Sequence, residues 1–353
     1  MTIDEARARF PVLERFAYLN AGTFGPLARA TMDAVADAQV AELEQGRAGP
    51  EYFQRMLALR ESVRAALAEQ IGVPAENVSL SGSTTAGCNV VLQALGIGPD
   101  DEVVTTTDEH FGLIGPLLVS GARLRLVPPE PDAILAAIGP RTRLIAVSHV
   151  TWTVGTVLPV AELREQSGLP VLADGAQGAG AIPVDASGVD FYTVSAQKWL
   201  CGPDATGALY VRDPESLRIP AASYFGLASY DLEEPSWEPK PGAARFDPGA
   251  VPVPSLAGLE AALADLPEWR FERARDVTDR CHALLSERFE VVSEPGQGTL
   301  VSWRPDGDAS ETSKRAYERG VIIRDLPATG YLRASCGWWT SEEDLERLVE
   351  AVS

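Results

Sequence analysis

The feature that most constrains this chain is a rhythm between Val78 and Val211. Short runs of apolar and β-branched residues recur there, each followed by a turn and a helical stretch. Strands are expected over residues 78–80, 102–106, 123–127, 144–148, 170–173, 190–194 and 208–211. Helices are expected after the SGSTT turn and over 111–120, 134–138 and 160–166. A short apolar run that does not alternate with polar residues reads as a strand covered on both faces. Strands of that kind, joined through helices, build a mainly parallel sheet sandwiched by helices. The expected class is therefore α/β. In such sheets ligands collect beyond the carboxyl ends of the strands, which singles out the SGSTT turn, His149 and Asp174.

The flanks complete the architecture. Residues 1–16 read as a short helix and a loop, and helices follow over 29–44 and 50–71, where Gly72 and Pro74 stop the second. Residues 214–254 are rich in proline, acids and aromatics and show no clear period, the mark of an interface or a site wall. From residue 255 helices return, with strands near 290–292, 299–303, 321–323 and 331–335. A last helix opens at Ser341, a natural N-cap followed by acids. The division expected is a large unit of residues 15–250 and a smaller α+β unit of 251–353 together with 1–14.

Thirty basic against fifty acidic residues give a net charge of −20, which argues against a nucleic-acid partner. The four cysteines, Cys88, Cys201, Cys281 and Cys336, lack CxxC spacing. Neither a disulfide framework nor a metal site is expected, and reduced thiols suit a cytoplasmic protein. The N-terminus MTIDEARARF has no apolar core, and no apolar run of about eighteen residues occurs. Neither a standard export signal nor a membrane span is expected.

The chemistry centres on residues 171–207, VLADGAQGAGAIPVDASGVDFYTVSAQKWLCGPDATG. Asp174 ends one apolar run and Lys198 follows the next. A lysine among Val194, Trp199 and Leu200 is desolvated, which lowers its pKa and makes the amine a nucleophile fit for a Schiff base. A carboxylate against a pyridine nitrogen keeps that nitrogen protonated. Singly these residues have plainer readings, a solvated lysine and a helix-cap aspartate. Together they point to pyridoxal 5'-phosphate (PLP). Ser83, Thr84 and Thr85 precede a helix and serve either as its cap or as a phosphate site. Ser195 could reach the same phosphate, and Gln177 the ring oxygen. His110 and His149 compete to cover the ring, with His110 preferred because it lies in a loop. Arg333 is either an edge-strand surface charge or a bidentate clamp for a carboxylate.

In their order and spacing, YLNAGTFGP, SGSTTAGCN, DEHF, SHVTWTVGTVLPV, ADGAQGAG, VSAQKWLCGPDATGALYV and YLRASCGWWTSEEDLERLV resemble one family. From about Tyr18 to the C-terminus the chain is similar to fold type I PLP-dependent enzymes of the class V aminotransferase and cysteine desulfurase group. Within that group it looks most like cysteine/cystine C–S lyases. The resemblance implies a large PLP domain, a small α+β domain, and a homodimer with the site at its interface. It implies that Lys198 carries PLP as a Schiff base, Asp174 meets the ring nitrogen, Gln177 the ring oxygen, and His110 the ring face. Thr84 and Ser195 would hold the phosphate with Ser83, Thr85 and Gln197 beside them. Arg333, Asn20 and Trp152 would contact a small amino-acid substrate. The implied activity is a C–S β-lyase acting on cysteine, cystine or a cysteine S-conjugate, with Lys198 abstracting the α-proton. An aminotransferase or an epimerase is the alternative; a persulfide-forming desulfurase or a non-catalytic scaffold ranks lower.

Four departures from the family pattern matter. Gln197 stands where many relatives have histidine before the lysine. Trp152 replaces an asparagine. Ala250 follows RFDPG where a threonine serves the neighbouring subunit's phosphate. Residues 321–332 lack the mobile cysteine of desulfurases, leaving Cys201 and Cys336 as the thiols nearest the motifs. Substrate side-chain selection is expected from some of Asn20, Phe24, Trp152, Tyr224, Phe225, Trp338 and Trp339.

Overall fold

The computed structural model describes residues 1–353. The chain opens with α1 (Ile3–Arg7), β1 (Ala17–Tyr18), α2 (Arg29–Gln45) and α3 (Pro50–Gln70). The alternating region then gives β2 (Val78–Ser81), α4 (Thr84–Leu95), β3 (Glu102–Thr106), α5 (Phe111–Ser120), β4 (Arg123–Val127) and α6 (Pro131–Ala136). It continues through β5 (Thr142–Ser148), α7 (Val160–Ser167), β6 (Val171–Asp174), β7 (Phe191–Ser195) and β8 (Gly207–Val211). These seven strands form one sheet in the order β2-β8-β7-β6-β5-β3-β4. Neighbours from β7 to β4 run parallel, and only β8 runs against the rest. Every residue of β2, β3, β6, β7 and β8 is buried, which is why their sequences do not alternate. Val63, Leu67 and Ile71 of α3 and its C-terminal end pack on one face with Val104, Val147, Val171 and Val194. Cys88, Val91, Leu113 and Leu117 of α4 and α5 cover the other with Leu144, Leu172 and Leu209.

Residues 214–254 hold a hairpin, β9 (Leu227–Asp231) and β10 (Ser236–Pro239), that stands clear of both cores. Tyr230, Leu232 and Trp237 are exposed on it. A ribbon solvated on both faces has no hydrophobic period to betray it.

The remainder comprises α8 (Val253–Ala264), α9 (Arg270–Ser286), β11 (Glu290–Val291), β12 (Leu300–Arg304), α10 (Ala309–Glu318), β13 (Val321–Ile322), β14 (Arg324–Leu326), β15 (Tyr331–Ser335) and α11 (Glu342–Val352). Strands β11, β12, β15 and β14 form a four-stranded antiparallel sheet. Leu256 and Leu259 of α8 join the core of the large sheet, while β1 pairs with β13 of the C-terminal part. Ser341 caps α11 in a reciprocal box with Asp344.

One local break decides the site. The sequence reads residues 321–323 as a single strand. The chain instead uses Val321 and Ile322 to pair with β1, then turns so that Arg324 to Leu326 pair with β15. Arg324 thereby sits directly across from Arg333.

Candidate active site

A cavity of about 160 Å³ lies where the ends of the parallel strands meet the small sheet. Gly22, Thr23, Phe24, His110, Trp152, Gln177, Lys198, Arg324 and Arg333 line it. Five sequence-derived candidates (His110, Trp152, Gln177, Lys198 and Arg333) thus converge on one space.

Lys198 follows the end of β7 by three residues and makes no hydrogen bond or ion pair through its amine. Desolvation pushes its pKa down to about 8, opposed by the charge of Asp174 and assisted by Arg333 and Arg324. Asp174, the last residue of β6, is buried. Its Oδ1 accepts from the Ala176 N–H at 2.9 Å and the Thr193 hydroxyl at 3.4 Å, while Oδ2 takes no protein donor. Burial raises the Asp174 pKa, against the Ala176 N–H, Lys198 and Thr193.

The loop after β1 straps the cavity. Gly25 donates its N–H to the Gln197 carbonyl at 2.8 Å. A Cβ at Gly25 would lie 1.9 Å from the Lys198 carbonyl, so only glycine lets the strap approach the lysine segment this closely. Gln177 ties the strap down from below. The indole N–H of Trp199 donates to Gln177 Oε1 at 3.0 Å, and because indole is donor only this fixes the amide orientation. Gln177 Nε2 then donates to the Gly22 carbonyl at 2.8 Å, with its second hydrogen still available. Asn20 supports the strap by accepting from the Thr23 hydroxyl at 2.8 Å.

His110 caps α5, its Nδ1 accepting from the Gly112 N–H at 3.0 Å, so the neutral ring carries its proton on Nε2. Desolvation, then the charges of Lys198, Arg333 and Arg324, push its pKa down to about 4, although the residue is exposed at the cavity mouth. The Trp152 ring meets it edge-on at 5.2 Å. His149 lies behind the sheet ends, with Nδ1 2.9 Å from the Tyr192 hydroxyl, and is not at the cavity. Of the two histidines, only His110 reaches the space above Lys198.

None of the candidate phosphate residues lines this cavity; they gather instead where the start of α4 meets the end of β7. Ser83 caps α4 by accepting from the Ala86 N–H at 3.1 Å, and the Thr84 N–H reaches Ser195 Oγ at 3.4 Å. Thr85 follows in the first turn. The Gln197 amide borders an adjacent groove, its Oε1 buried without a partner.

Arg333 is 2% exposed, and its Nη1 donates to the Trp152 carbonyl at 2.5 Å while Nε has no partner. No carboxylate pairs with it. Desolvation and the Arg324 guanidinium push its pKa down to about 9, with Asp108 opposing. Arg324 Nη1 contacts the Thr23 hydroxyl at 3.4 Å and also lacks an ion pair. Arg324 and Thr23 escaped the sequence reading. The available signal was a second arginine ahead of the PATG turn, which a hairpin brings opposite Arg333. Of the aromatic residues expected to select substrates, Phe24 and Trp152 line the cavity. Trp338 and Trp339 are packed in the core around Phe10, and Phe225 lies against the Arg60 guanidinium.

These residues fit PLP. An unpartnered amine, a buried carboxylate with a free oxygen, an imidazole at the mouth and a helix N-terminus with hydroxyls match its aldehyde, ring nitrogen, ring face and phosphate in turn.

The comparisons with known proteins agree. The family model for class V aminotransferases matches residues 22–297. Isopenicillin N epimerase of Streptomyces clavuligerus is 30% identical, over 99% of this chain and 97% of that protein. A cysteine desulfurase of Klebsiella pneumoniae is 34% identical, over 99% of this chain and 97% of its own. Two structures of C-DES also match. A mutant with glycine covalently linked to the PLP cofactor has a TM-score of 0.91 at 27% identity, covering 98% of both chains. The cystine C–S lyase bound to its reaction product, cysteine persulfide, has a TM-score of 0.90 at 26% identity, covering 97% of this chain and 98% of that one. With a fold of fold type I and a site whose chemistry suits PLP, the chain belongs to the class V aminotransferase family of PLP-dependent enzymes.

Proposed function

We propose that this enzyme is a C–S β-lyase that releases sulfur from cysteine, cystine or a cysteine S-conjugate, with cystine favoured. The observation that carries this reading is the Arg324–Arg333 pair. Two guanidinium groups border one cavity and neither has a carboxylate partner, which suits a small amino acid with two carboxylates. The likeness to a cystine C–S lyase supports it.

When bound, the cofactor supplies the electron sink that makes the substrate's α-hydrogen acidic. Lys198 would hold it and, as a neutral amine, take the proton from the substrate's Cα. Asp174 would keep the ring nitrogen protonated, the second Gln177 amide hydrogen would serve the ring oxygen, and His110 would cover the ring. Ser83, Thr84, Thr85 and Ser195 would bind the phosphate, with Gln197 alongside. Arg333 would bind the α-carboxylate and Arg324 the distal one, while Trp152 and the Asn20-supported strap shape the pocket and exclude water. With cystine and one water the products are pyruvate, ammonia and cysteine persulfide. All four cysteines are buried and none lines the cavity, so sulfur leaves on the product rather than on an enzyme thiol. The test is pyruvate formation by the holoenzyme from cysteine, cystine and S-conjugates. Pyruvate from at least one is expected; none from any of them overturns the proposal.

A second reading, epimerisation, is favoured by the full-length likeness to isopenicillin N epimerase. It begins with the same proton removal. Exchange of the Cα hydrogen with solvent without pyruvate would establish it instead.

We further propose a cytoplasmic homodimer of a large and a small unit. The division expected at residue 250 is redrawn after α8, because Leu256 and Leu259 pack in the core of the large sheet, and β1 goes with the small unit, because it pairs with β13. Four unpaired cysteines suit a reducing compartment. No helix is long and apolar enough to cross a membrane. The β9–β10 hairpin, with Tyr230 and Trp237 exposed, is the candidate contact with a second copy. Deleting the hairpin is expected to give a monomer by light scattering.

A further inference from the structure

We propose that Glu109 is a positioning residue acting through Asp174, its carboxylate strengthening the hold of the site on the proton of the cofactor's ring nitrogen. The proposal rests on the role assigned above to Asp174.

Glu109 precedes His110 in the loop between β3 and α5. Its Oε1 accepts from the Thr106 hydroxyl at 2.7 Å and the Ser148 N–H at 3.0 Å. Its Oε2 accepts from the Ser148 hydroxyl at 2.5 Å and the same N–H at 3.1 Å. Ser148 ends β5 and stands in register with Asp174 at the end of β6. Adjacent strands lie about 4.8 Å apart, so the two carboxylates flank one serine at the same level of the sheet.

No cation pairs with Glu109. The ionisable groups that face it are Asp174 from β6 and Cys88 from α4, with the Asp108 carboxyl and neutral His110 on either side of it on its own loop. Thr106 and Ser148 present only uncharged donors. Those donors favour the ionised carboxylate, while desolvation and the Asp174 charge raise its pKa to about 7. The second negative charge is therefore gained around neutral pH. Once present, it opposes any loss of positive charge at the group Asp174 holds. Glu109 does not line the cavity; it works on the potential at Asp174.

The test is the ring-nitrogen NMR shift of the holoenzyme carrying nitrogen-15-labelled PLP, followed on both sides of neutral pH. In Glu109→Gln the ring nitrogen is expected to lose its proton about one pH unit earlier than in the unaltered enzyme, a tenfold loss of proton affinity. Below the titration of Glu109 the two should coincide. Identical titrations throughout would overturn the proposal, and so would an equal difference at every pH, which marks a structural cause. Ser148→Ala keeps the charge but removes one donor, and should move the Glu109-linked step to higher pH. If Glu109→Gln fails to fold, an unmoved step in Ser148→Ala would itself overturn the proposal. Asp174→Ala separates the two readings. If it leaves the ring nitrogen protonated as before, the placement of the cofactor falls and this inference with it; if it deprotonates the nitrogen while Glu109→Gln does not, only the inference falls.

Discussion

Two pairs of arginines in this molecule meet opposite treatment. Arg60 and Arg64, one turn apart on α3, are 2% and 3% exposed and converge on Asp247. Asp247 accepts from Arg60 at 2.7 Å, from Arg64 at 2.8 and 3.0 Å, from the Ser79 hydroxyl at 3.1 Å and from the Leu80 N–H at 3.0 Å. Arg324 and Arg333 are just as close in the fold, yet neither buried Arg333 nor partly buried Arg324 forms an ion pair, and Asp108 acts on Arg333 only at a distance. A buried charge with its counter-charge in place is architecture; a buried charge without one is destabilising, and a fold retains it where a ligand completes the pair. The difference teaches which arginines the chain keeps for itself and which it keeps for substrate.

The comparison breaks most visibly at Asp247. Asp247→Asn leaves two arginines buried without a carboxylate, and is expected to cost about 3–5 kcal/mol in chemical denaturation. The sign in pH follows from the lowered pKa of Asp247, which Arg64 and Arg60 hold down against desolvation. Its contribution is full above the ordinary carboxylate pKa and is lost as the pH falls through the lowered folded value. The variant should lack that acid-linked step.

Arg333→Met should behave in the reverse manner. Removing an unpaired buried guanidinium in favour of an apolar side chain is expected to leave stability within about 1 kcal/mol of the original, or to raise it. The KM for the amino-acid substrate should rise on the order of 100-fold, because a buried carboxylate contact is worth about 2–5 kcal/mol. A loss of stability comparable to that of Asp247→Asn would erase the distinction.

Lys198 is the third unpaired cation at the cavity, and its chemistry gives a pH signature. Its pKa is pushed down to about 8, so the neutral amine gains population as the pH rises through that value. Capture of the PLP aldehyde by the apoenzyme, followed by stopped-flow absorbance, should accelerate about tenfold per unit below it and level off above. Borohydride treatment and peptide mapping should find the cofactor's mass on Lys198. A flat rate profile would place the amine in a solvated, ordinary setting.

How much of this was legible beforehand follows from the same contrast. The large sheet could be read because its strands are buried on both faces and announce themselves as unbroken apolar runs. Asp174 and Lys198 could be read because they close such runs. The β9–β10 hairpin could not, since it buries neither face. Arg324 could not be placed because its position depends on a break between Ile322 and Arg324 that splits one apparent strand between two sheets. The partnership of Arg60 and Arg64 with Asp247 was equally hidden. The RFDPG segment showed the loss of a hydroxyl at Ala250, but no local pattern ties its aspartate to a helix so distant in sequence. The double engagement of Gln177, with Trp199 and with Gly22, is likewise a property of packing rather than of spacing.

The most direct test of the unpaired arginines as the substrate's counter-charges is the ratio of kcat/KM for cystine to that for a cysteine S-conjugate with a single carboxylate, in the unaltered holoenzyme and in Arg324→Met. Arg324 is only partly buried, so its contact with a distal carboxylate is worth about 1 kcal/mol, and the ratio should fall roughly fivefold with stability unchanged. An unchanged ratio, or a fall in both rates together with a loss of stability, would contradict the account.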